Sequence, residues 1–256
     1  HRFVVRQERG GIPQRTEKCF PPPERQMVAD PFDEQRMRRF LVQEKLVEGQ
    51  TLTLSAEESR HAVKALRLQP GAKILLNDGQ GQEAEAEIVA IEGEFVQARV
   101  DQVQNLARGH RLALMQAPLK GPKMDWLVEK ITELGVADLF LVKTQHTVAA
   151  GEKIERWQRL AQAAVKQSGN AHLPTIHPIQ PLAEAAAQLK GLKILLQPGC
   201  TEGLAAVVAR GKAVSGQITL AVGPEGGFSA QEEAELLRAG FVPAALSRQI
   251  LRGETA

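Results

Sequence analysis

The chain has 256 residues, 43% of them hydrophobic and 24% charged, a composition that suits one or two packed domains and excludes wholesale disorder and collagen-like or coiled-coil designs. Its 32 Lys and Arg against 30 Asp and Glu leave a formal charge of +2, so any nucleic-acid surface must be local. Aromatics are 4% and Tyr is absent, which argues against a protein that grips single strands on several stacked rings.

Residues 1–36 carry Gly10-Gly11, Pro21-Pro22-Pro23 and mixed charge without a sustained apolar period, and are read as an extension outside any core. Arg is frequent there, but Glu8, Glu17, Glu24, Asp30, Asp33 and Glu34 disfavour an organelle presequence. A first domain, 37–107, is expected to be mostly short strands: 39–42, 51–54, 73–77, 83–92 and 94–103, with Asn77-Asp78-Gly79 and Glu92-Gly93 as turns. One helix interrupts them. Ser55 and Glu58 have capping-box spacing, and His61, Ala62, Ala65 and Leu66 form the expected core face before Pro70-Gly71. A small β-barrel with one helix is the simplest architecture.

From 108 to 256 strands alternate with helices, which predicts an α/β domain with a parallel sheet covered on both faces. The strands are 112–115, 139–142, a segment near Ile176, 193–196 and 218–222. The helices start at Pro122, Glu152, Leu182, near Leu204 and at Ala230. Leu127, Ile131 and Leu134 recur at helical spacing before Gly135. In such sheets ligands sit at the carboxyl ends of strands. No apolar run approaches the about 20 residues of a membrane span, and no signal-peptide core is visible. Cys19 and Cys200 match neither a zinc spacing nor a secreted disulfide framework, and His61, His146 and His172 assemble no metal spacing. A soluble, cytoplasmic protein without a metal is expected.

The buried-type strand Ile218 to Val222 runs into Gly223-Pro224-Glu225-Gly226-Gly227-Phe228, and Ser229 with Glu232 then caps a helix. Such a turn brings backbone close to a ligand, although a glycine-rich strand-to-helix turn is as often purely structural. Further on, 246–256 has no helical or strand rhythm yet sets apolar beside charged residues.

Together these segments resemble the small-subunit ribosomal RNA uridine-N3 methyltransferase family of the SPOUT class. The resemblance is carried by Lys120-Gly121-Pro122-Lys123-Met124-Asp125-Trp126 with Glu129-Lys130 and Glu133-Leu134-Gly135-Val136, by Gln167-Ser168-Gly169, by Gly223 to Phe228, and by Ile250-Leu251-Arg252 with Glu254-Thr255-Ala256. The matches stand in the family's order and span about 37–256. The chain departs from the pattern at His146 and Asn170, where basic residues are usual, at Ser247, where glycine is usual, and at Gly253, where threonine is usual.

The resemblance implies a PUA-like RNA-binding β-barrel before a trefoil-knotted SPOUT methyltransferase domain, a homodimer, S-adenosylmethionine as cofactor and small-subunit ribosomal RNA as partner. It implies cofactor contacts from Leu196, Gln197, Pro198 and Gly199, from Gly223, Pro224, Gly226 and Gly227, and from Leu246, Ser247, Ile250 and Leu251. Arg252 is the candidate for the uracil anion or an RNA phosphate, with a surface ion pair as the alternative. Glu225 is the candidate for orienting the donor or accepting a proton, with a loop contact as the alternative. Arg38, Arg39, Lys120 and Lys123 are candidate phosphate contacts, or charges on a solvated face. Two other functions fit the same chain: a non-catalytic RNA-binding or ribosome-assembly protein, and a SPOUT enzyme for another nucleotide.

Overall fold

The computed structural model describes residues 37–109, 111–147, 153–211, 216–247, 249 and 251–255, so the expectations for 1–36, Glu152 and Ile250 fall outside the described residues. Strands β1 (Arg38–Leu41), β2 (Thr51–Thr53), β3 (Lys73–Asn77), β4 (Gln82–Glu92) and β5 (Phe95–Asn105) form one sheet in the order β1-β3-β4-β5-β2. Its ladders are antiparallel except β1 beside β3. Both edge strands feed one core through Phe40 and Leu52, and two register shifts in the β4–β5 ladder bend the long strands, so the sheet curls on itself.

The helix in this sheet, α1 (Ala56–Arg60), continues as a wider π-turn over His61–Ala65, with the Leu66 amide on the His61 carbonyl at 3.0 Å. That widening changes which side chains face inward: Ala62 is buried, whereas His61 and Ala65 are exposed, correcting the expected core set. The capping box is also only half made. Ser55 Oγ accepts the Glu58 amide at 3.2 Å, but the nearly buried Glu58 carboxylate turns to Lys166 Nζ, 2.7 Å away.

The second sheet is parallel throughout. It is built from β6 (Arg111–Gln116), β7 (Asp138–Lys143), β8 (Thr175–Pro181), β9 (Leu192–Leu196), β10 (Gln217–Val222) and β11 (Val242–Ala244), in the order β11-β9-β10-β6-β7-β8. Alternation along the strands serves two cores. Ala113, Met115, Phe140, Leu195 and Ala221 pack under α4 (Leu182–Gln188) and α6 (Ala230–Arg238). Leu114, Leu139, Leu141 and Val222 pack under α2 (Pro122–Glu133) and α3 (Ile154–Ser168). Each of the buried Leu, Val, Met and Phe side chains among them contributes about 1.5–3 kcal/mol. A last helix, α5 (Leu204–Gly211), covers Ile194 and Ala244 with Val207. The three-residue β11, containing Pro243, was not anticipated. Leu134 lies just past the end of α2 and is 79% exposed, so it does not belong to the apolar stripe.

Asp125 locks α2 to α3, accepting from Arg156 at 2.7 Å and from the indole of the buried Trp157 at 3.2 Å. The two sheets belong to one compact unit, Met37–Ala256. The hairpin 77–82 of the first sheet docks on the chain following α3: the Gly81 amide donates to Ala171 O at 3.0 Å, and the Leu173 amide to Gly79 O at 2.8 Å. A β-carbon on Gly81 would stand 2.5 Å from His172 Nε2 and 2.9 Å from the Leu106 carbonyl, at a φ of +110°. Backbone blocks relief there, so Gly81→Ala is expected to cost about 2 kcal/mol or more in urea unfolding. A change under about 0.5 kcal/mol would mean that this docking is loose.

Candidate functional site

Strand β10 is gripped by both cores and delivers Gly223 to the carboxyl edge of the parallel sheet. Beside its last residue, β6 ends on Gln116, a polar side chain with no exposed surface. Its amide nitrogen donates to Ala117 O at 2.8 Å and to Gly223 O at 3.2 Å, fixing where the turn begins. A β-carbon on Gly223 would lie 3.0 Å from both the carbonyl carbon of Gly227 and the amide of Phe228, so glycine permits the close return of the chain. The Gly227 amide closes the turn on Pro224 O at 2.8 Å. The capping box that opens α6 is complete: Ser229 Oγ accepts the Glu232 amide at 3.4 Å, and Glu232 Oε2 accepts the Ser229 amide at 2.8 Å.

Two other segments meet this turn. After β9, the Gln197 amide bonds Ala244 O at 3.0 Å and its side chain donates to Glu233 Oε2 at 2.9 Å. Residues 251–255 return past the start of α2, where a β-carbon on Gly253 would lie 3.2 Å from Leu119 Cδ2. Between the three segments is a cavity of ≈ 520 Å³. It is lined by Leu196, Gln197, Pro198, Gly223, Pro224, Glu225, Gly226, Gly227, Leu246, Ser247, Leu251 and Arg252 of the expected residues. Gly199 is outside the lining, because the loop has turned away after Pro198.

Phe228, Glu233, Gln249 and Gly253 also line the cavity and were missed, as was Gln116 behind it. Phe228 and Gly253 stand in segments that carry the resemblance, Gln116 left a trace as a polar residue ending an apolar strand, and Glu233 and Gln249 gave no signal.

The four candidate phosphate contacts do not share one surroundings. Arg38 and Lys120 are exposed. Arg39 pairs with Glu83 at 3.4 Å and lies over Gly169. Lys123 lines the cavity, 3.6 Å from Glu225 Oε1 and 3.3 Å from Glu254 Oε1. Burial pushes the Glu225 carboxyl up, but backbone amides of Glu225 and Lys120 and the charges of Lys123 and Lys120 outweigh it, leaving it below the usual carboxylate range. Glu254 is likewise lowered, first by its own backbone amide, against burial, with Lys123 adding a hydrogen bond. Arg252 is exposed and has no carboxylate partner among the described residues. The cavity mouth therefore offers one uncommitted guanidinium and two firmly ionised carboxylates.

A family model described as the RNA methyltransferase domain matches residues 107–256, and one described as the RNA methyltransferase PUA domain matches 54–101. The chain belongs to the RNA methyltransferase family. Ribosomal RNA small subunit methyltransferase E from Neisseria gonorrhoeae, solved bound to S-adenosyl methionine, is 31% identical with a TM-score of 0.79, covering 86% of this chain and 93% of that one. The Bacillus subtilis enzyme of that name is 26% identical over 238 residues, 86% of this chain and 93% of the relative. Its Synechocystis counterpart is 26% identical over 228 residues, 86% and 74% of the two chains.

Seen as an RNA methyltransferase, the chain gives its departures local work. His146 Nδ1 lies 3.2 Å from Gly227 O, on the turn itself. Asn170 donates to Thr132 O at 2.7 Å and accepts the His172 amide at 3.0 Å, and Ser247 Oγ accepts the Gln249 amide at 3.0 Å. Among the described residues no three His, Cys, Asp or Glu gather to hold a metal ion, and no helix is long and apolar enough to cross a membrane.

The lowered carboxylate of Glu254 has a definite pH signature. A group whose folded pKa is depressed stabilises the fold above its unfolded value, ordinarily 4.5, and loses that contribution as pH falls through the folded value. The stability difference between wild type and Glu254→Gln is expected to be full at pH 7 and to close as the pH falls below that unfolded value in urea titrations. A difference independent of pH would contradict the assignment.

Proposed function

We propose that this RNA methyltransferase transfers a methyl group from S-adenosylmethionine to N3 of a uridine in small-subunit ribosomal RNA. The observation that carries the reading is the three-walled cavity at the carboxyl ends of β9 and β10, in a chain similar along most of its length to an enzyme solved with that cofactor. The residues present fit the group. The volume lies within the range of small-molecule sites, Leu196, Leu246 and Leu251 supply apolar walls, and Gly227, whose β-carbon would meet nothing within 4 Å, presents bare backbone in the lining.

The cofactor supplies a methyl group already activated on a positively charged sulfur. What remains for the protein is to align the base and to stabilise it once the N3 proton has left. Arg252, without a carboxylate partner among the described residues, is assigned to the uracil anion. Glu225, lowered and engaged by Lys120 and Lys123, is a weak proton acceptor and is assigned to orientation. Leu196 to Pro198, the 223–227 turn, Leu246, Ser247 and Leu251 are assigned to the cofactor, with Gly199 and Ile250 beside them. Arg38, Arg39 and Lys120 are assigned to RNA phosphates.

We further assign 37–107 as the PUA-like RNA-binding domain and 108–256 as the catalytic one, with Leu246 to Arg252 in a trefoil knot and with the active species a cytoplasmic homodimer. The resemblance supports these assignments.

The test is to incubate the protein with labelled S-adenosylmethionine and either small- or large-subunit ribosomal RNA from a strain lacking the gene, and then map the modified base. Label at a small-subunit uridine N3 is expected. Label only on large-subunit RNA, or none, contradicts the reading. Arg252→Ala is expected to lower the rate at least about tenfold with cofactor binding retained, and an unchanged rate removes Arg252 from the chemistry.

A further inference from the structure

Leu246, Ser247, Gln249 and 251–253 form one wall of the cavity, but among the described residues no strand or helix anchors 251–255. Among the described residues its end is held by few contacts. Gly253 packs on Leu119, the Thr255 amide turns back to Arg252 O at 2.8 Å, and Glu254 reaches Lys123. Glu254 is the costly member of this set. Its side chain is only 16% exposed and its Oε2 is buried without a hydrogen-bond partner, so beyond its own backbone amide and the charge of Arg252 the carboxylate relies on the ammonium of Lys123 beside Oε1.

That same ammonium lies beside Glu225 in the opposite wall, whose Oε1 also accepts the Lys120 amide at 3.4 Å. Among the described residues Lys123 is the only lysine in the lining, and it stands in the first turn of α2, a rigid element that belongs to neither wall. One positive charge thus joins two carboxylates that would otherwise repel each other across the cavity mouth.

We infer that Lys123 is a positioning residue that latches the 251–255 wall to the Gly223–Gly227 wall, and so acts on cofactor affinity and not as a phosphate contact. The inference rests on the reading of the cavity as an S-adenosylmethionine site. With Lys123 removed, Glu254 loses the partner for a buried charge and the two walls separate, which shifts the cofactor-free protein toward an open mouth. Apparent affinity for the cofactor falls by the fraction of molecules that remain closed. An RNA phosphate would find the ammonium already shared between two carboxylates, so RNA affinity measured without cofactor changes little.

The experiment compares wild type, Lys123→Met, Lys123→Arg and Glu254→Gln by calorimetric titration with S-adenosylmethionine and by filter binding of small-subunit ribosomal RNA without cofactor. Lys123→Met is expected to raise the cofactor Kd about tenfold, with RNA Kd within about twofold of wild type. Lys123→Arg, which keeps the charge and its reach, is expected to restore cofactor Kd to within about threefold. Glu254→Gln, which spares Lys123 and opens only one side of the latch, is expected to weaken cofactor binding by a smaller factor, and it serves as the probe if Lys123→Met does not fold. In steady state, KM for the cofactor should rise in Lys123→Met while KM for RNA does not.

A weakened RNA Kd with an unchanged cofactor Kd would make Lys123 a phosphate contact and overturn the latch. So would a Lys123→Arg variant no better than Lys123→Met. Absence of cofactor binding by wild type would instead overturn the reading of the cavity itself.

Discussion

The return of the chain at Gly223 is the constraint on which the rest of the site depends. Glycine allows the backbone there to approach Gly227 and Phe228, and the buried Gln116 amide holds the Gly223 carbonyl from the neighbouring strand. Because Gln116 is itself fixed by the β6–β10 register, the turn inherits the rigidity of the parallel sheet, with two cores gripping alternate side chains. A cavity built on such an edge needs no metal to organise it. Its shape is set by where three strand-linked loops stop, and its electrostatics by the few charges that reach the mouth.

The first sheet is tied to this framework by backbone hydrogen bonds from its 77–82 hairpin and by the Glu58–Lys166 pair, whose carboxylate is nearly buried. Removing Lys166 would leave the nearly buried Glu58 carboxylate without its cation, so the pair sets where the curled sheet meets α3. RNA bound on the curled sheet would be presented to the cavity at a fixed distance. On the proposed reading, a nearly neutral chain meets a polyanion through local cations, with Arg38, Lys120 and Arg252 the residues assigned to it.

Much of the architecture was legible in the sequence because it is written in local periodicity. The alternation of strands and helices, the Pro122 start of α2 and the full capping box at Ser229–Glu232 all depend on residues a few positions apart. The same box spelled by Ser55 and Glu58 is half made, because Lys166 draws Glu58 away from a helix that is distant in sequence. A π-turn likewise moved His61 and Ala65 into solvent. Neither outcome has a local signal. In the cavity, the turn and its apolar walls were readable through the family resemblance, while the Lys123 pairs with Glu225 and Glu254 and the Gln197–Glu233 contact join residues that only the folded sheet brings together. Lys123 reads in sequence as a phosphate contact or a charge on a solvated face. In space it faces two carboxylates.

The central claim, that the turn at the end of β10 is one wall of an S-adenosylmethionine site, is tested most directly by calorimetric titration of that cofactor into wild type and Gly223→Val. The account requires saturable binding at one site per chain in wild type, and its loss in a variant that is still folded by circular dichroism. Equal affinity in the two proteins, or no heat in wild type, would contradict it.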